Sequence, residues 1–172
     1  MTSEEKLRRF EESISPHINS AFNLACWLTR RMEDAEDIVQ EAFLRAYRSC
    51  ESLRGADGKA WLLAIVRNTA MTALKKSQTT VAFEDSLAAP AGVAADPESI
   101  LLAAAERDRV RRAVAGLPDE FREAIVLREL EGCSYKEIAA ITGVPMGTVM
   151  SRLARGREHL KRLLFTGEEA SK

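Results

Sequence analysis

Basic side chains concentrate near the carboxyl terminus, where they could neutralise phosphate groups or hydrogen-bond to base edges. Five bases and one acid lie between positions 145 and 165 of the 172-residue chain. At helical spacing, one side of this segment is apolar or small, through Val149, Leu153, Gly156 and Leu160. The remaining sides carry Thr148, Ser151, Arg152, Arg155, Arg157 and Lys161. Such a face suits the major groove of duplex DNA, and a solvated basic helix is the alternative.

The residues just before this basic segment predict a second, shorter helix. Ser134 and Glu137 have the spacing of a capping box, in which each side chain satisfies the other residue's backbone amide. Gly143 comes eight residues after Tyr135 and can take the positive φ of a tight turn, while Val144 can plug the junction. The pattern predicts a helix-turn-helix whose second helix is the basic one.

Acidic residues concentrate in a different helix. From Glu33 to Leu44 there are five acids and no base. Asp37, Gln40, Glu41 and Leu44 share one outward face at spacings of three and four, which leaves an apolar side chain among acids. The pattern favours a protein docking surface over a merely solvated face, and an acidic surface does not bind DNA.

A third segment, residues 59–76, carries cations and no acid. Arg67, Lys75 and Lys76 accompany Asn68, which lies three residues after Ile65 and seven after Trp61. Asn68 therefore falls on or near the apolar side of the helix. It is either a core amide with a hydrogen-bond partner or a functional group, and spacing alone slightly favours the core amide.

Periodicity at three and four residues, without strand-like alternation, predicts an all-α fold. We expect two small helical domains joined by a flexible linker, with the helix-turn-helix in the second: residues 1–77, a linker at 78–96, residues 97–166 and a tail at 167–172. Pro16 predicts a break in the first helix, and Asp96-Pro97 predicts a helix start. The predicted core includes Leu7, Ile18, Ala73, Leu101, Ala104 and Val110.

Several classes of function lack support in the sequence. No apolar run is long enough to span a bilayer and no leader pattern opens the chain, so we expect a cytoplasmic protein without membrane insertion. Cys26, Cys50 and Cys133 are isolated, which predicts buried thiols rather than disulfides or a zinc site. His17 and His159 lack partners at triad or ligand spacing. We expect no catalytic residues, no metal, no cofactor and no enzymatic activity.

The acidic helix, the 59–76 segment and the helix-turn-helix together resemble the sigma-70 family of RNA polymerase sigma factors, in particular its extracytoplasmic-function (ECF) type. The motifs DAEDIVQEAFLRAYR, WLLAIVRNTAMTALKK and SYKEIAAITGVPMGTVMSRLARGREHLKRLL occur in the family's order. The resemblance implies a protein that binds core RNA polymerase, reads the −35 and −10 promoter elements and promotes DNA melting. It also implies an anti-sigma protein as a partner.

The resemblance assigns roles to individual residues. Asp37, Gln40, Glu41 and Leu44 become contacts to core polymerase. Duplex DNA at −35 would be read by Thr148, Ser151, Arg152, Arg155, Arg157 and Lys161. The melted −10 strand would meet Leu53, Arg54, Lys59, Trp61, Arg67, Asn68, Lys75 and Lys76, with Asn68 and the loop at 53–59 forming a pocket for an extruded base. The chain departs from the family at Leu53, Ala64 and Thr72.

A stand-alone helix-turn-helix regulator that binds duplex DNA is the alternative. It would explain the carboxyl-terminal segment, but it gives no reason for the acidic helix or for the basic segment at 59–76. The chain also has no recognisable phosphoacceptor domain of the kind that controls such regulators.

Overall fold

The computed structural model describes residues 1–55, 57–76 and 97–169, and these ranges contain helices and turns but no strand. The all-α prediction is confirmed. The predicted linker at 78–96 and the last three residues of the predicted tail lie outside the described residues. The helices are α1 (Ser3–Ser13), α2 (Ile18–Thr29), α3 (Met32–Ser49), α4 (Gly58–Lys76), α5 (Pro97–Ala115), α6 (Asp119–Ile125), α7 (Tyr135–Thr142) and α8 (Met146–Glu169).

Helices α2, α3 and α4 pack against one another as the centre of the N-terminal domain, residues 1–76. Small residues let them approach closely, because Ala21 and Ala25 on α2 and Ala42 on α3 have no exposed surface. Leu62 and Val66 on α4 fill the remaining space and are also fully buried. The break predicted at Pro16 is confirmed, since a 3₁₀ turn at Ser15–His17 separates α1 from α2.

Several residues predicted for the core lie at the surface. Four of them are too exposed to belong to the core: Leu101 (72%), Ile18 (49%), Leu7 (48%) and Val110 (45%). Ala73 and Ala104 are exposed as well. Helical spacing identifies an apolar face but not the length over which a partner helix covers it. Among the α5 residues whose burial the structure describes, the buried ones are Ala113 and Val114, near the carboxyl-terminal end.

The C-terminal domain, residues 97–169, contains the predicted helix-turn-helix. The capping box is confirmed: the Glu137 amide donates to Ser134 Oγ (3.1 Å), and the Ser134 amide donates to Glu137 Oε2 (2.9 Å). Gly143 ends α7 with a φ of 72°, in the left-handed region that favours glycine. Before α7, α6 continues into a π-helical turn at Val126–Leu130, in which the Glu131 amide donates to the Val126 carbonyl (3.0 Å).

The two domains pack directly on each other. Helix α4 lies against α7, and α2 lies against α6 and the π-helical turn. The buried apolar residues form a single cluster that runs from Ile14 in the first domain to Leu153 in the second. The sequence did not predict this contact. Helical spacing shows which face of a helix is apolar, but it does not show whether the other domain covers that face.

Gly58 allows α4 to begin where α1 ends. A Cβ atom at this position would overlap the carbonyl oxygen of Ser13 and would lie 3.0 Å from its carbonyl carbon. Gly147, in the first turn of α8, has open space at the same place. The first glycine is therefore required by packing and the second is not, although both are helical.

We expect Gly58→Ala to lower the free energy of unfolding by about 1–3 kcal/mol, because the obstructing atoms belong to the backbone and cannot rotate away. Gly147→Ala is the matched control and should leave stability unchanged within about 0.5 kcal/mol or raise it. Urea denaturation of both variants, followed by circular dichroism, measures the difference. Equal stabilities would mean that α1 shifts freely to accommodate the methyl group.

Candidate nucleic-acid interface

Helix α8 is held by its apolar side, which leaves its polar side free. Val149 and Leu153 are 1% exposed and Gly156 is buried, so this side packs inward as predicted. The packing partner is α6. A Cβ atom at Gly156 would lie 2.9 Å from Cγ1 of Ile125, so only glycine allows this approach without a shift of Ile125. The opposite surface of the helix is thereby directed outward.

The six residues predicted to read duplex DNA all lie on α8, but they are not equally available. Ser151, Arg155, Arg157 and Lys161 are exposed, and Thr148 and Arg152 are half-buried. Within the described ranges, neither Arg155 nor Lys161 has an ion pair or a side-chain hydrogen bond. These two cations are therefore the ones that can meet an anion without first releasing a partner.

Acids from α6 and from the π-helical turn hold the two arginines that remain among these six residues. Arg157 donates to Glu129 Oε1 from Nη2 (2.8 Å) and from Nε (3.2 Å). Hydrogen bonds to Glu129 and then to Tyr135 raise the pKa of Arg157, so the guanidinium stays charged. Arg152 Nη2 lies 3.9 Å from Glu120 Oε2. A phosphate or a base would compete with these carboxylates for either arginine.

The acidic face of α3 is open, as the spacing predicted. Asp37, Gln40 and Leu44 are exposed, and Leu44 shows 52% of its surface. Glu41 is half-buried and pairs with Arg45 (2.7 Å), one turn further along the helix. An apolar groove between α2 and α3 adjoins this face, lined by Ile18, Asn19, Phe22, Glu36, Val39 and Gln40. Sequence reasoning missed the groove because it placed Ile18 in the core.

Asn68 is exposed on α4, so the interpretation of it as a core amide is wrong. Its backbone carbonyl oxygen accepts a hydrogen bond from the Thr72 hydroxyl (2.9 Å), and its side-chain amide has no hydrogen-bond partner in the described residues. Arg54, Lys75 and Lys76 are exposed as well, and Trp61 is half-buried. Four of the eight residues predicted for the melted strand are thus freely accessible.

Leu53 is not accessible, because its side chain is 3% exposed and belongs to the core. Its backbone carbonyl accepts a hydrogen bond from the Arg9 guanidinium, which ties the loop to α1. The prediction that the side chain of Leu53 lines a base pocket does not match its position in this structure. The apolar residue at the end of the loop anchors it instead.

Lys59 and Arg67 contact acids of the C-terminal domain. Arg67 Nε donates to Glu123 Oε1 at 2.6 Å. Lys59 Nζ donates to the carbonyl oxygen of Glu131 at 2.5 Å and lies 3.6 Å from Glu131 Oε2. Sequence reasoning missed both acids. Both acids lie beside a strongly apolar stretch of sequence. This position could have indicated them, because a buried acid needs a partner.

The remaining candidates for chemistry have structural positions. The three cysteines are buried, as predicted, and burial raises the pKa of the Cys26 and Cys133 thiols to about 11. His159 is half-buried, with its ring centroid 5.4 Å from that of Phe121. Within the described ranges no group of three His, Cys, Asp or Glu residues is placed to hold a metal ion, and no helix has the length and apolar character to cross a membrane.

Two family models match separate parts of the chain. The family model for sigma-70 region 2 matches residues 14–80, which include α2, α3 and α4, and that for sigma-70, region 4 matches residues 107–160, which include α6 and α7 and most of α8. The ECF RNA polymerase sigma-E factor of Escherichia coli (strain K12) is 42% identical over 135 residues, covering 73% of this chain and 71% of that protein.

Two further similarities extend over more of the chain. The ECF RNA polymerase sigma factor SigE of Mycolicibacterium smegmatis is 34% identical over 163 residues, covering 88% of this chain and 60% of that protein. The solved structure of the sigma factor RpoE from Bartonella quintana, in complex with the anti-sigma factor NepR, superposes with a TM-score of 0.74 at 27% identity, covering 90% of this chain and 96% of that one.

A stand-alone helix-turn-helix regulator would not account for the match to region 2. Proteins of the matched family are transcription-initiation factors and not enzymes, and their partners are core RNA polymerase and promoter DNA. The chain belongs to the sigma-70 family, as an RNA polymerase sigma factor of the ECF type.

Proposed function

We propose that the chain directs promoter-specific initiation through three surfaces on three helices. The exposed face of α8 binds the −35 duplex, the accessible side of α4 receives the melted −10 strand, and the acidic face of α3 docks on core polymerase. The observation that carries the proposal is on α8. Its apolar side is packed on α6 and its neighbours, and Arg155 and Lys161 are exposed and form no ion pair within the described structure.

For −35 binding, the residues of α8 fall into two groups: side chains without an ion pair, and arginines that are paired with an acid. Short side chains at the beginning of a recognition helix can approach base edges, which suits Thr148 and Ser151. Arg155 follows one turn later and is free to form a bidentate contact to guanine or an ion pair with phosphate. Arg152 and Arg157 can contact DNA only after it displaces Glu120 and Glu129. Their net contribution to DNA binding is smaller because an existing ion pair is lost.

For the −10 strand, exposure centres the site on Asn68. An extruded base needs a donor and an acceptor on one group, and an amide supplies both. Arg54, Lys75 and Lys76 are exposed cations that can attract a strand, and the half-buried Trp61 offers an aromatic surface for stacking. The loop at 53–59 contributes through its backbone and Arg54, since Leu53 is anchored in the core.

For polymerase docking, Asp37, Gln40, Glu41 and Leu44 form one acidic face with an apolar centre. Leu44 supplies contact area, and the groove between α2 and α3 continues the apolar surface toward α2. The complementary partner is a basic surface of core polymerase with an apolar side chain of its own.

The proposal extends to location, control and domain organisation. A factor that works with polymerase acts in the cytoplasm, where transcription takes place. The complex of the similar RpoE with NepR supports an anti-sigma protein as the negative regulator of this chain. The match boundaries, 14–80 and 107–160, support two functional domains at 1–77 and 97–166.

Reversing two charges on α3 tests polymerase docking. We expect Asp37→Lys with Glu41→Lys to weaken binding to core polymerase at least tenfold, about 1.4 kcal/mol, because like charges then face each other across the interface. Glu11→Lys with Glu12→Lys makes the same charge change at exposed positions of α1 and should bind normally. Fluorescence polarisation with core polymerase measures both variants. Equal affinities would exclude the α3 face from the docking surface.

Removing a free cation from α8 tests −35 binding. Arg155→Ala should cost about 1–3 kcal/mol in binding to −35 duplex DNA with relaxed sequence preference if the contact is to a base. A phosphate contact would instead reduce the salt dependence of binding. Arg107→Ala removes an exposed arginine of α5 and should change nothing. Unaltered affinity and salt dependence for Arg155→Ala would rule out this residue as a −35 contact.

Asn68→Ala tests the base pocket. The variant should bind −35 duplex DNA normally but open promoters more slowly, because an unpaired base is its only target. A template mismatched at −10 should restore part of the rate, since the bases there are already unpaired. Permanganate reactivity of −10 thymines with core polymerase provides the measurement. If the variant opens the matched promoter as fast as the unaltered protein, Asn68 does not receive a base.

A further inference from the structure

The contact between the two domains covers part of the surface that the −10 strand would use. Of the cations assigned to that strand, Lys59 and Arg67 face the C-terminal domain instead of solvent. We propose that this contact is an intramolecular latch, in which Glu123 and Glu131 compete with promoter DNA for Arg67 and Lys59. The inference rests on the proposed role of α4 in binding the −10 strand.

The latch has three points of contact along one seam. At one end, the Arg30 guanidinium donates to the Ala115 carbonyl (3.3 Å) and lies 3.7 Å from Asp119 Oδ1. In the middle, Arg67 pairs with Glu123 at 2.6 Å. At the other end, Glu131 receives Lys59 and also accepts a hydrogen bond from the Asn23 amide (3.3 Å). These polar contacts flank the packing of α4 on α7.

Burial distinguishes the two central acids from ordinary surface carboxylates. The side chains of Glu123 and Glu131 are 6% and 4% exposed, whereas that of Glu120 on the same helix as Glu123 is 56% exposed. A buried carboxylate needs a charged or hydrogen-bonding partner, and Glu123 and Glu131 both find theirs in the other domain. The π-helical turn contributes to this arrangement, because its extra residue per turn places Glu131 at the seam.

Separation of the domains would not leave any of these charged groups buried without a partner. Glu123, Glu131, Lys59 and Arg67 would all return to water, and the two bases would become available to phosphate groups. Carboxylate and phosphate oxygens satisfy a guanidinium in the same bidentate manner, so a DNA strand can take the place of Glu123. DNA and polymerase can therefore bind molecules in which the domains have already separated. This binding shifts the population from the closed form to the open form.

The closed form leaves part of the site accessible. Asn68, Lys75 and Lys76 are exposed while Lys59 and Arg67 are engaged. We therefore expect the free chain to bind a single-stranded −10 oligonucleotide weakly rather than not at all. The apparent affinity falls by the fraction of molecules that are open.

The test uses the full chain and a variant altered only on the acidic side of the latch. Glu123→Gln with Glu131→Gln leaves every proposed DNA contact in place. It should bind a single-stranded −10 oligonucleotide about tenfold more tightly than the unaltered chain, as expected if about one molecule in ten is open at rest. Its radius of gyration in small-angle X-ray scattering should also increase. Glu11→Gln with Glu12→Gln makes the same charge change at exposed acids of α1, away from every proposed DNA contact, and should do neither.

A second variant guards against misfolding of the first. Arg30→Gly removes the contacts to Ala115 and Asp119 at the end of the seam, far along the chain from α4. Position 30 has a φ of 61°, which glycine adopts without strain, so the end of α2 is preserved. It should shift compactness and oligonucleotide affinity in the same direction as the double variant, by a smaller factor.

The outcomes separate the latch from the proposed function of α4. Arg67→Ala is assayed for promoter opening with core polymerase, where the latch plays no part. If Arg67→Ala slows opening but neither latch variant expands the chain or tightens oligonucleotide binding, the latch is wrong and the role of α4 stands. If the latch variants expand the chain while oligonucleotide affinity and opening by Arg67→Ala are unchanged, competition with DNA is overturned and Arg67 is not a strand contact.

Discussion

The segment from Phe121 to Leu127, most of α6 and the start of the π-helical turn, is buried, and this constraint organises much of the molecule. Residues 121–127 are all buried, although two of them, Arg122 and Glu123, are charged. Arg122 donates to the carbonyls of Leu117 (3.0 Å) and Ala115 (3.4 Å), and its pKa is lowered by burial and by Arg30. Its Nε atom has no partner within the described structure. Glu123 takes its partner from the other domain. A helix of this kind is stable only when neighbours on several sides satisfy it.

The same helix sets the position of the recognition helix and limits its charges. Ile125 fits against Gly156, which fixes the side of α8 that faces inward. Glu120 and Glu129, at either end of the segment, reach Arg152 and Arg157. A basic helix with no nearby acid would suffer repulsion among its own cations. Pairing some of them lowers that repulsion, and it leaves the unpaired ones available to an anion.

Charge is segregated along the chain, although its formal net charge is only −1. The acidic face of α3 and the basic face of α8 belong to different domains, and we propose that each meets a partner of opposite charge. The seam between the domains also joins unlike charges, with bases just after α2 and on α4 and acids on α6 and after the π-helical turn. A contact of this type is weakened by salt at its exposed parts, whereas its buried carboxylates are screened much less.

The sequence by itself determined the local features. Capping residues, glycines and helical spacing act within a few residues of each other, so the helix-turn-helix, the capping box at Ser134 and the packed side of α8 could all be predicted. The outward faces of α3 and α8 followed from the same spacing. Family resemblance, rather than spacing, supplied the roles of those faces.

Only the tertiary structure decided which apolar residues find a partner. Leu101 and Val110 remain exposed on α5. It also decided that Asn68 is exposed, that Leu53 is an anchor, and that Lys59 and Arg67 meet buried acids more than fifty residues away in sequence. Such contacts depend on how whole helices pack together. The order of residues along one helix does not determine which surface will cover that helix.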